Sequence, residues 1–100
     1  MSEPIKVIVF KDGEGWVAQC LDYDIGAQAA DLDTLRLRLE TVIDAELAES
    51  IRRHNKPFQG IGKAPDRFFD MWERRRSGMG QTRTMHEASE PVTIEFAIAA

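Results

Sequence analysis

The sequence predicts a single α+β domain with the element order β-β-β-α-α-β, in which one long helix packs against a small, mostly antiparallel sheet. The stretch from about Asp33 to Ser50 has the apolar spacing of one buried helical face and contains no Pro or Gly. Three short strand-like stretches precede this helix, and Val92 to Ala99 alternates with a period of two. Strands on both sides of one long helix favour an α+β architecture.

The first two predicted strands form a hairpin. Ile5 to Phe10 is rich in β-branched and aromatic residues, and the two glycines of Lys11–Gly15 indicate a turn before the second strand, Gly15 to Leu21. Both strands carry apolar side chains on both faces. Because one long helix can cover only one face of the sheet, the other face needs a second cover.

The third strand, Ile25 to Ala30, consists of small residues and leads into the long helix. Asp31 and Asp33 lie where the helix N-cap is expected. Leu37 falls on the side opposite the apolar stripe, as a single exposed leucine. The stripe itself consists of Leu32, Leu35, Leu39, Val42, Ile43 and Leu47.

A basic connector and a shorter helix separate the long helix from the last strand. Residues 52–64 form the connector, and Pro65 to Arg76 is predicted to be helical with Phe68, Phe69 and Trp72 on one face. Residues 77–91 are polar and contain glycine, and we expect them to form a mobile loop. The whole chain is thus one domain with a core of residues 4–51 and 91–100 and an insertion of residues 52–90.

Composition restricts the class of protein. Hydrophobic residues make up 43% of the chain, which is typical of a globular fold. No apolar run reaches the about 20 residues of a membrane span, and the N-terminus lacks the features of a signal peptide. A lone Cys20 leaves no intrachain disulfide. These features predict a cytoplasmic protein with no membrane partner.

Charge is unevenly distributed along the chain. The net charge is −4, but acidic residues dominate residues 1–51 and basic residues dominate residues 52–83. Such a division is found on surfaces that bind nucleic acid or acidic partners. It is equally compatible with two halves that complement each other within the fold or within a dimer.

The sequence contains no constellation of catalytic residues. The densest carboxylate cluster is Asp22, Asp24, Asp31 and Asp33, but turns and a helix start account for these residues, and the remaining ligands of a calcium loop are missing. The two histidines, His54 and His86, have no second ligand at metal spacing. Cys20 is expected to be a small buried apolar side chain. We therefore predict a protein that is not an enzyme and that has no catalytic residue, metal or cofactor.

The segment Trp16–Gln28 (WVAQCLDYDIGAQ), followed by Asp33-Thr34-Leu35 at the helix start, resembles the HicB antitoxin family. The resemblance covers about residues 5–50, with the last strand closing the same sheet. It implies a β-β-β-α-β domain that is similar to a pared-down ribonuclease H-like fold without its catalytic acids. It also implies a partner, since HicB proteins bind and neutralise HicA, a small RNA-cleaving toxin.

The chain departs from the HicB pattern in two places. No ribbon-helix-helix or helix-turn-helix follows the sheet domain, and Arg36-Leu37 replaces the Glu-Ala of the family's helix start. The departures indicate a stand-alone HicB-like protein without an appended DNA-binding domain. The family-like core and the absence of catalytic groups lead us to expect a non-enzymatic interaction module, of the antitoxin type, with a HicA-like toxin as partner.

Two other functions remain open at this point. The first is a nucleic-acid-binding regulator that uses the basic segment 52–83, with Arg74, Arg75 and Arg76 as phosphate contacts. A solvated helix end explains the same three arginines. The second, more remote, is a metal-dependent nuclease using Asp22 and Asp24.

The apolar second face of the sheet predicts a homodimer. A short helix is not long enough to cover the whole face, and an uncovered patch of more than a few hundred Å² is unusual on a monomer. The expected partner or dimer surface consists of Trp16, Phe68, Phe69 and Trp72. The alternative is that the second helix and the connector fold back and cover the face within one chain.

Overall fold

The computed structural model describes residues 4–84 and 92–99, which form five strands and two helices. The strands are β1 (Ile5–Asp12), β2 (Gly15–Cys20), β3 (Gly26–Ala29), β4 (Ser77–Thr84) and β5 (Val92–Ile98); the helices are α1 (Leu32–His54) and α2 (Asp66–Glu73). The predicted α+β class is confirmed. Within the described ranges, neither helix is long and apolar enough to cross a membrane.

The strands form one mixed sheet in the order β3-β2-β1-β5-β4. Strand β1 pairs antiparallel with β2, placing Val9 opposite Ala18, and parallel with β5, placing Val7 opposite Phe96. The pairs β2/β3 and β4/β5 are antiparallel. The first and last described strands are therefore neighbours at the centre of the sheet.

Strand β4 corrects the sequence-based expectation of a mobile loop over residues 77–91. Ser77–Thr84 pairs with β5 along its length, with a register shift between Gly78 and Gly80. The backbone pairing with β5 holds this polar, glycine-containing segment as an edge strand, because β5 offers a hydrogen-bonding edge whatever the neighbour's side chains are. The rest of the predicted loop, residues 85–91, lies outside the described residues.

One face of the sheet packs against α1. The buried stripe of the helix is Leu35, Leu39, Ile43 and Leu47, each at most 1% exposed. It contacts alternate residues of the central strands, which also are fully buried: Val7, Val9, Ala18, Cys20, Ile94 and Phe96. The period of two in the strands and the helical spacing in α1 thus meet in a single core.

Both ends of α1 are capped. The Asp31 carboxylate accepts hydrogen bonds from the backbone N–H of Thr34 at 2.8 Å and from its hydroxyl at 3.0 Å, as an N-cap residue should. At the other end Asn55 adopts a left-handed conformation, φ 60°, and donates its N–H to the carbonyl of Ile51 at 2.8 Å. The helix therefore extends to His54, one turn past Ser50, where the sequence predicts an end at Ser50 or a little beyond.

The other face of the sheet is covered by α2 and the end of the connector. Ala64, Phe68 and Trp72 pack on Ile8, Leu21 and Ala97. The backbone N–H of Ala64 donates to the carbonyl of Leu21 at 2.9 Å and fixes the start of α2 against the sheet.

This cover removes the argument on which the homodimer prediction was based. The second helix and the connector fold back and cover this face within one chain, which is the alternative that the sequence left open. Among the residues whose burial is described, Leu37 is the one large apolar side chain that is exposed, at 66%.

Candidate functional site

Two of the four aromatic residues expected at a partner surface lie inside the fold. Phe68 is 8% and Trp72 6% exposed, and the Phe68 ring stacks on Phe10 with 6.0 Å between centroids. Phe69 is half-buried beside the same cluster. These residues form the second core, and they leave little aromatic surface for a partner.

Trp16 is half-buried near the β1–β2 turn and packs on the first core, whereas Phe68, Phe69 and Trp72 belong to the second. The Lys11 Nζ atom lies 4.9 Å from the centroid of its ring. Trp16 lines two clefts, one of about 430 Å³ that it shares with Arg38 and one of about 410 Å³ that it shares with Met71 and Arg76. The structure therefore does not bring the four predicted aromatic residues together on one surface.

Four cations lie over the aromatic rings of the second core. Lys6 of β1 and Arg75 lie over Trp72, at 6.0 Å and 4.6 Å from the ring centroid. Arg67 lies 4.6 Å from the Phe68 ring, and Lys63 lies 5.8 Å from the Phe69 ring. These contacts anchor long side chains along apolar surface and leave their charged ends near solvent.

The arginine triplet follows α2 and is exposed. Arg75 donates to the carbonyl of Trp72 at 3.0 Å, and the backbone N–H of Arg76 donates to Ile98 at 2.8 Å, which joins the end of α2 to β5. In the part of the chain that the structure describes, Arg74, Arg75 and Arg76 form no salt bridge. Arg75 is held against Trp72, and all three arginines are exposed to solvent.

Two further arginines of the basic segment, at the end of α1, share one carboxylate. Arg52 and Arg53 both pair with Glu49, each at 2.6 Å. The hydrogen bonds from Arg52 and then Arg53 lower the pKa of Glu49, and the same contact raises the pKa of Arg52. The basic segment 52–83 is thus divided between the end of α1 and the end of α2.

The four aspartates of the acidic cluster are separated by β3. Asp22 and Asp24 lie in the turn before this strand, where Gln19 donates to Asp24 Oδ1 at 2.9 Å. Asp31 and Asp33 lie after β3, at the start of α1. Within residues 4–84 and 92–99, no group of three or more His, Cys, Asp or Glu is placed to hold a metal ion.

The cysteine and the two histidines, which were considered as reactive or metal-binding residues, do not form a site in the described part of the chain. Cys20 is fully buried, and burial, followed by the charge of Asp22, raises its pKa to about 12. A thiol in this state is neutral and unreactive at physiological pH. His54 ends α1 beside Gly60, and His86 lies outside the described residues.

A groove between α1 and β3 is a feature that the sequence did not predict. It has a volume of about 460 Å³ and is lined by Gly26, Ala27, Gln28, Leu37, Arg38, Thr41 and Val42. Arg38 closes part of the sheet edge by donating to the carbonyl of Gln28 at 2.8 Å. The predicted exposure of Leu37 is confirmed. Its position beside edge strand β3 was not predicted, because it depends on how α1 packs on the sheet.

Comparisons with models of protein families, with curated proteins and with solved structures gave no match. The function of the chain is therefore inferred from its own residues and fold.

Proposed function

We propose that the chain is a non-enzymatic, HicB-like interaction module of the antitoxin type, which acts in the cytoplasm by binding a small HicA-like toxin. The observation that carries the proposal is the element order β1-β2-β3-α1 followed by a last strand, β5, that returns to the same sheet beside β1. This is the β-β-β-α-β core that the sequence resemblance implies. Helix α2 and strand β4 are additions between α1 and β5.

Residues of the segment 16–28, on which the resemblance to HicB is based, have structural roles that support the proposal. Ala18 and Cys20 are fully buried beneath α1. Gly26 is required by close packing, because a Cβ atom there would lie 2.9 Å from Gln19 Oε1 and 3.1 Å from the carbonyl oxygen of Ala18. The motif thus specifies how β2 and β3 fit together.

Co-expression with a small protein encoded beside this gene tests the antitoxin role. We expect the two proteins to co-purify and the chain to abolish the RNA cleavage and growth arrest that the neighbour causes alone. Gly26→Val, which should disrupt the β2–β3 pair, is expected to lose this protection, whereas Gly62→Ala, at an open position, should retain it. If the neighbour is toxic and neither binds nor is inhibited, the antitoxin role is wrong.

A second candidate is a nucleic-acid-binding regulator, which the three exposed arginines after α2 favour, since none of them forms a salt bridge with a residue that the structure describes. Phosphate contacts would make binding steeply dependent on salt, with a slope of about 0.9 per contact on a logarithmic scale for duplex DNA. We expect the triple change of Arg74, Arg75 and Arg76 to Ala to weaken binding and to lower this slope.

The matched control for this test is the double change of Arg52 and Arg53 to Ala. Both arginines are paired with Glu49, so removing them should change binding much less than removing the triplet. Equal losses in the two variants would indicate a general effect of net charge. Absence of binding by the wild type at low salt would eliminate the second candidate.

A further inference from the structure

We infer that a cleft at one end of the sheet binds a nucleotide, either as a free nucleoside monophosphate or as one unit of a single-stranded nucleic acid. The cleft has a volume of about 410 Å³, and its walls come from β1, β2, α2 and the segments that follow α2 and β5. The inference requires neither a toxin partner nor contact with duplex DNA. It therefore goes beyond both functions proposed above.

The cleft lies where β1 extends beyond the end of β5. The last residue pair of these two parallel strands is Val9 with Ile98, whereas β1 continues to Asp12. The backbone N–H of Ala99 donates to the carbonyl of Val9 at 2.9 Å, and that of Arg76 donates to the carbonyl of Ile98 at 2.8 Å. Backbone hydrogen bonds thus hold the residues that line the cleft at the end of β5.

The apolar walls of the cleft are suited to a small ligand. Phe10 and Trp16 contribute aromatic rings and Met71 a thioether, and all three side chains are half-buried. Among the residues whose burial is described, Leu37 is the one large apolar side chain that is exposed, and it does not line this cleft. Sites for small ligands are concave and occupy about 300–1,000 Å³, whereas a protein partner requires a broader exposed patch.

The charged side chains among the described residues of the cleft are both cations. Lys11 comes from β1 and Arg76 from the segment after α2, and neither forms a salt bridge with a described residue. The chain as a whole has a net charge of −4, and the other cleft beside β2 is lined by Asp12 and Glu14 as well as by Arg38. Two cations on different elements complement a phosphate, which carries up to about two negative charges, better than a carboxylate with one.

Aromatic rings and cations lie side by side in this cleft. The Lys11 Nζ atom is 4.9 Å from the centroid of the Trp16 ring. Proteins that bind single-stranded nucleic acid hold bases on aromatic side chains and phosphates on cations. The base accordingly packs against Phe10 and Trp16, and the phosphate lies between Lys11 and Arg76. The sequence predicts Trp16 at a partner surface and Arg76 as a phosphate contact, and the fold brings both to one cleft.

Isothermal titration calorimetry of the purified chain with adenosine and uridine monophosphates tests the site. We expect saturable binding, and Lys11→Ala and Arg76→Ala should each weaken it by about tenfold or more, as loss of one charged hydrogen-bond donor does. Trp16→Leu, which keeps an apolar side chain and the net charge, should also weaken binding. Inorganic phosphate and the unphosphorylated nucleosides should each bind more weakly than the monophosphates.

The matched control is Arg74→Ala. Arg74 is exposed and lies two residues from Arg76, but it does not line the cleft. Its removal takes away the same charge, and in about 0.15 M salt, where charges more than about 8 Å apart are largely screened, it should change binding by less than about threefold. The control also separates this site from duplex binding by the arginine triplet, in which Arg74 would take part.

A single-stranded oligonucleotide of about ten units separates the two sources of the ligand. Tighter binding of the oligonucleotide than of the monophosphates would assign the site to a strand, and equal or weaker binding would assign it to a free nucleotide. In both cases Arg76→Ala should weaken the binding that is observed.

Three results would overturn the site, with far-UV circular dichroism to establish folding in each case. They are a wild type that binds neither the monophosphates nor the oligonucleotide at millimolar concentration, folded Lys11→Ala and Arg76→Ala variants that bind as the wild type does, or equal losses in Arg74→Ala and Arg76→Ala. A chain that neutralises a toxin but binds no nucleotide would refute the site and leave the proposed function standing.

Discussion

The side chain of Ser50 joins the end of α1 to the connector by accepting a hydrogen bond from the backbone N–H of Phe58 at 2.7 Å. The same hydroxyl donates to the carbonyl of Leu47 at 2.9 Å, and Ser50 is only 5% exposed. Phe58, in a left-handed conformation, is itself buried and stacks on Tyr23 with 4.4 Å between ring centroids. A single hydroxyl thus fixes where the connector turns back toward the β2–β3 turn.

Replacing Ser50 by Ala should destabilise the protein by about 1–3 kcal/mol, because the buried N–H of Phe58 would lose its acceptor. Urea denaturation followed by circular dichroism measures the change. Thr41→Ala is the matched control, since the Thr41 hydroxyl bonds a helix carbonyl in the same way but is exposed. The control should remain within about 0.5 kcal/mol of the wild type. Equal losses in the two variants would contradict the role assigned to Ser50.

Two glycines of the connector should respond differently to the same change. Gly60 has φ +91°, and a Cβ atom there would lie 3.3 Å from His54 Nε2, whereas a Cβ at Gly62 would meet nothing within 4 Å. Gly60→Ala should therefore cost about 1–2 kcal/mol, the penalty of a left-handed conformation, and Gly62→Ala should be nearly neutral. Thermal unfolding of both variants decides this, and a reversed order would show the connector to be placed differently.

The Cys20 thiol should be protected from alkylation in the native protein. Burial raises its pKa to about 12, so the reactive thiolate is scarce at pH 8, and the sulfur has no access to solvent. Labelling with iodoacetamide should be at least about a hundredfold slower than in denaturant. The measurement is mass spectrometry over a time course. Rapid modification of folded protein would place Cys20 outside the core.

The cap at the start of α1 predicts a specific dependence of stability on pH. Hydrogen bonds from the Thr34 backbone and then from its hydroxyl lower the pKa of Asp31 below its ordinary value of 3.8. Since the folded pKa lies below the unfolded one, the ionised cap stabilises the fold above pH 3.8, and this contribution is lost as the pH falls through the folded pKa.

Melting temperatures of the wild type and of Asp31→Ala between neutral pH and pH 3 test the cap. The difference should be largest near neutral pH and should shrink in acid. Asp31→Asn keeps an acceptor for the Thr34 N–H, so it should lose less stability at neutral pH and show a weaker dependence on pH. A difference between wild type and Asp31→Ala that does not vary with pH would contradict the titration of this carboxylate.

Much of the secondary structure follows from local sequence. The β-branched run from Ile5, the glycines of the first turn and the helical spacing from Leu35 each determine their element with little help from the rest of the chain. The bounds differ at the ends of both helices. Helix α1 runs on to the left-handed cap at Asn55, and α2 ends at Glu73, before the arginines that the sequence analysis placed in it, because the backbone of Arg76 already pairs with Ile98 of β5.

Features that depend on contacts between distant elements could not be predicted from the sequence. Ser77–Thr84 has two glycines and few β-branched residues, and it becomes a strand because β5 offers an edge to pair with. Likewise, the aromatic spacing of Phe68 and Trp72 predicts an apolar helix face but not whether the chain itself or a partner covers it. The α1–β3 groove was missed for the same reason, since its two sides come from different elements.

The parallel pairing of β1 with β5 also has a consequence for how the chain folds during synthesis. Val7 and Val9 acquire their neighbours in β2 early, but Phe96 and Ile98 reach them only after α1, α2 and β4 have been made. Contacts between such distant parts of a chain form slowly, because a long loop must close first. Until β5 arrives, one edge of β1 stays open on the nascent chain, and this open edge is where a chaperone would protect the protein from pairing with another copy.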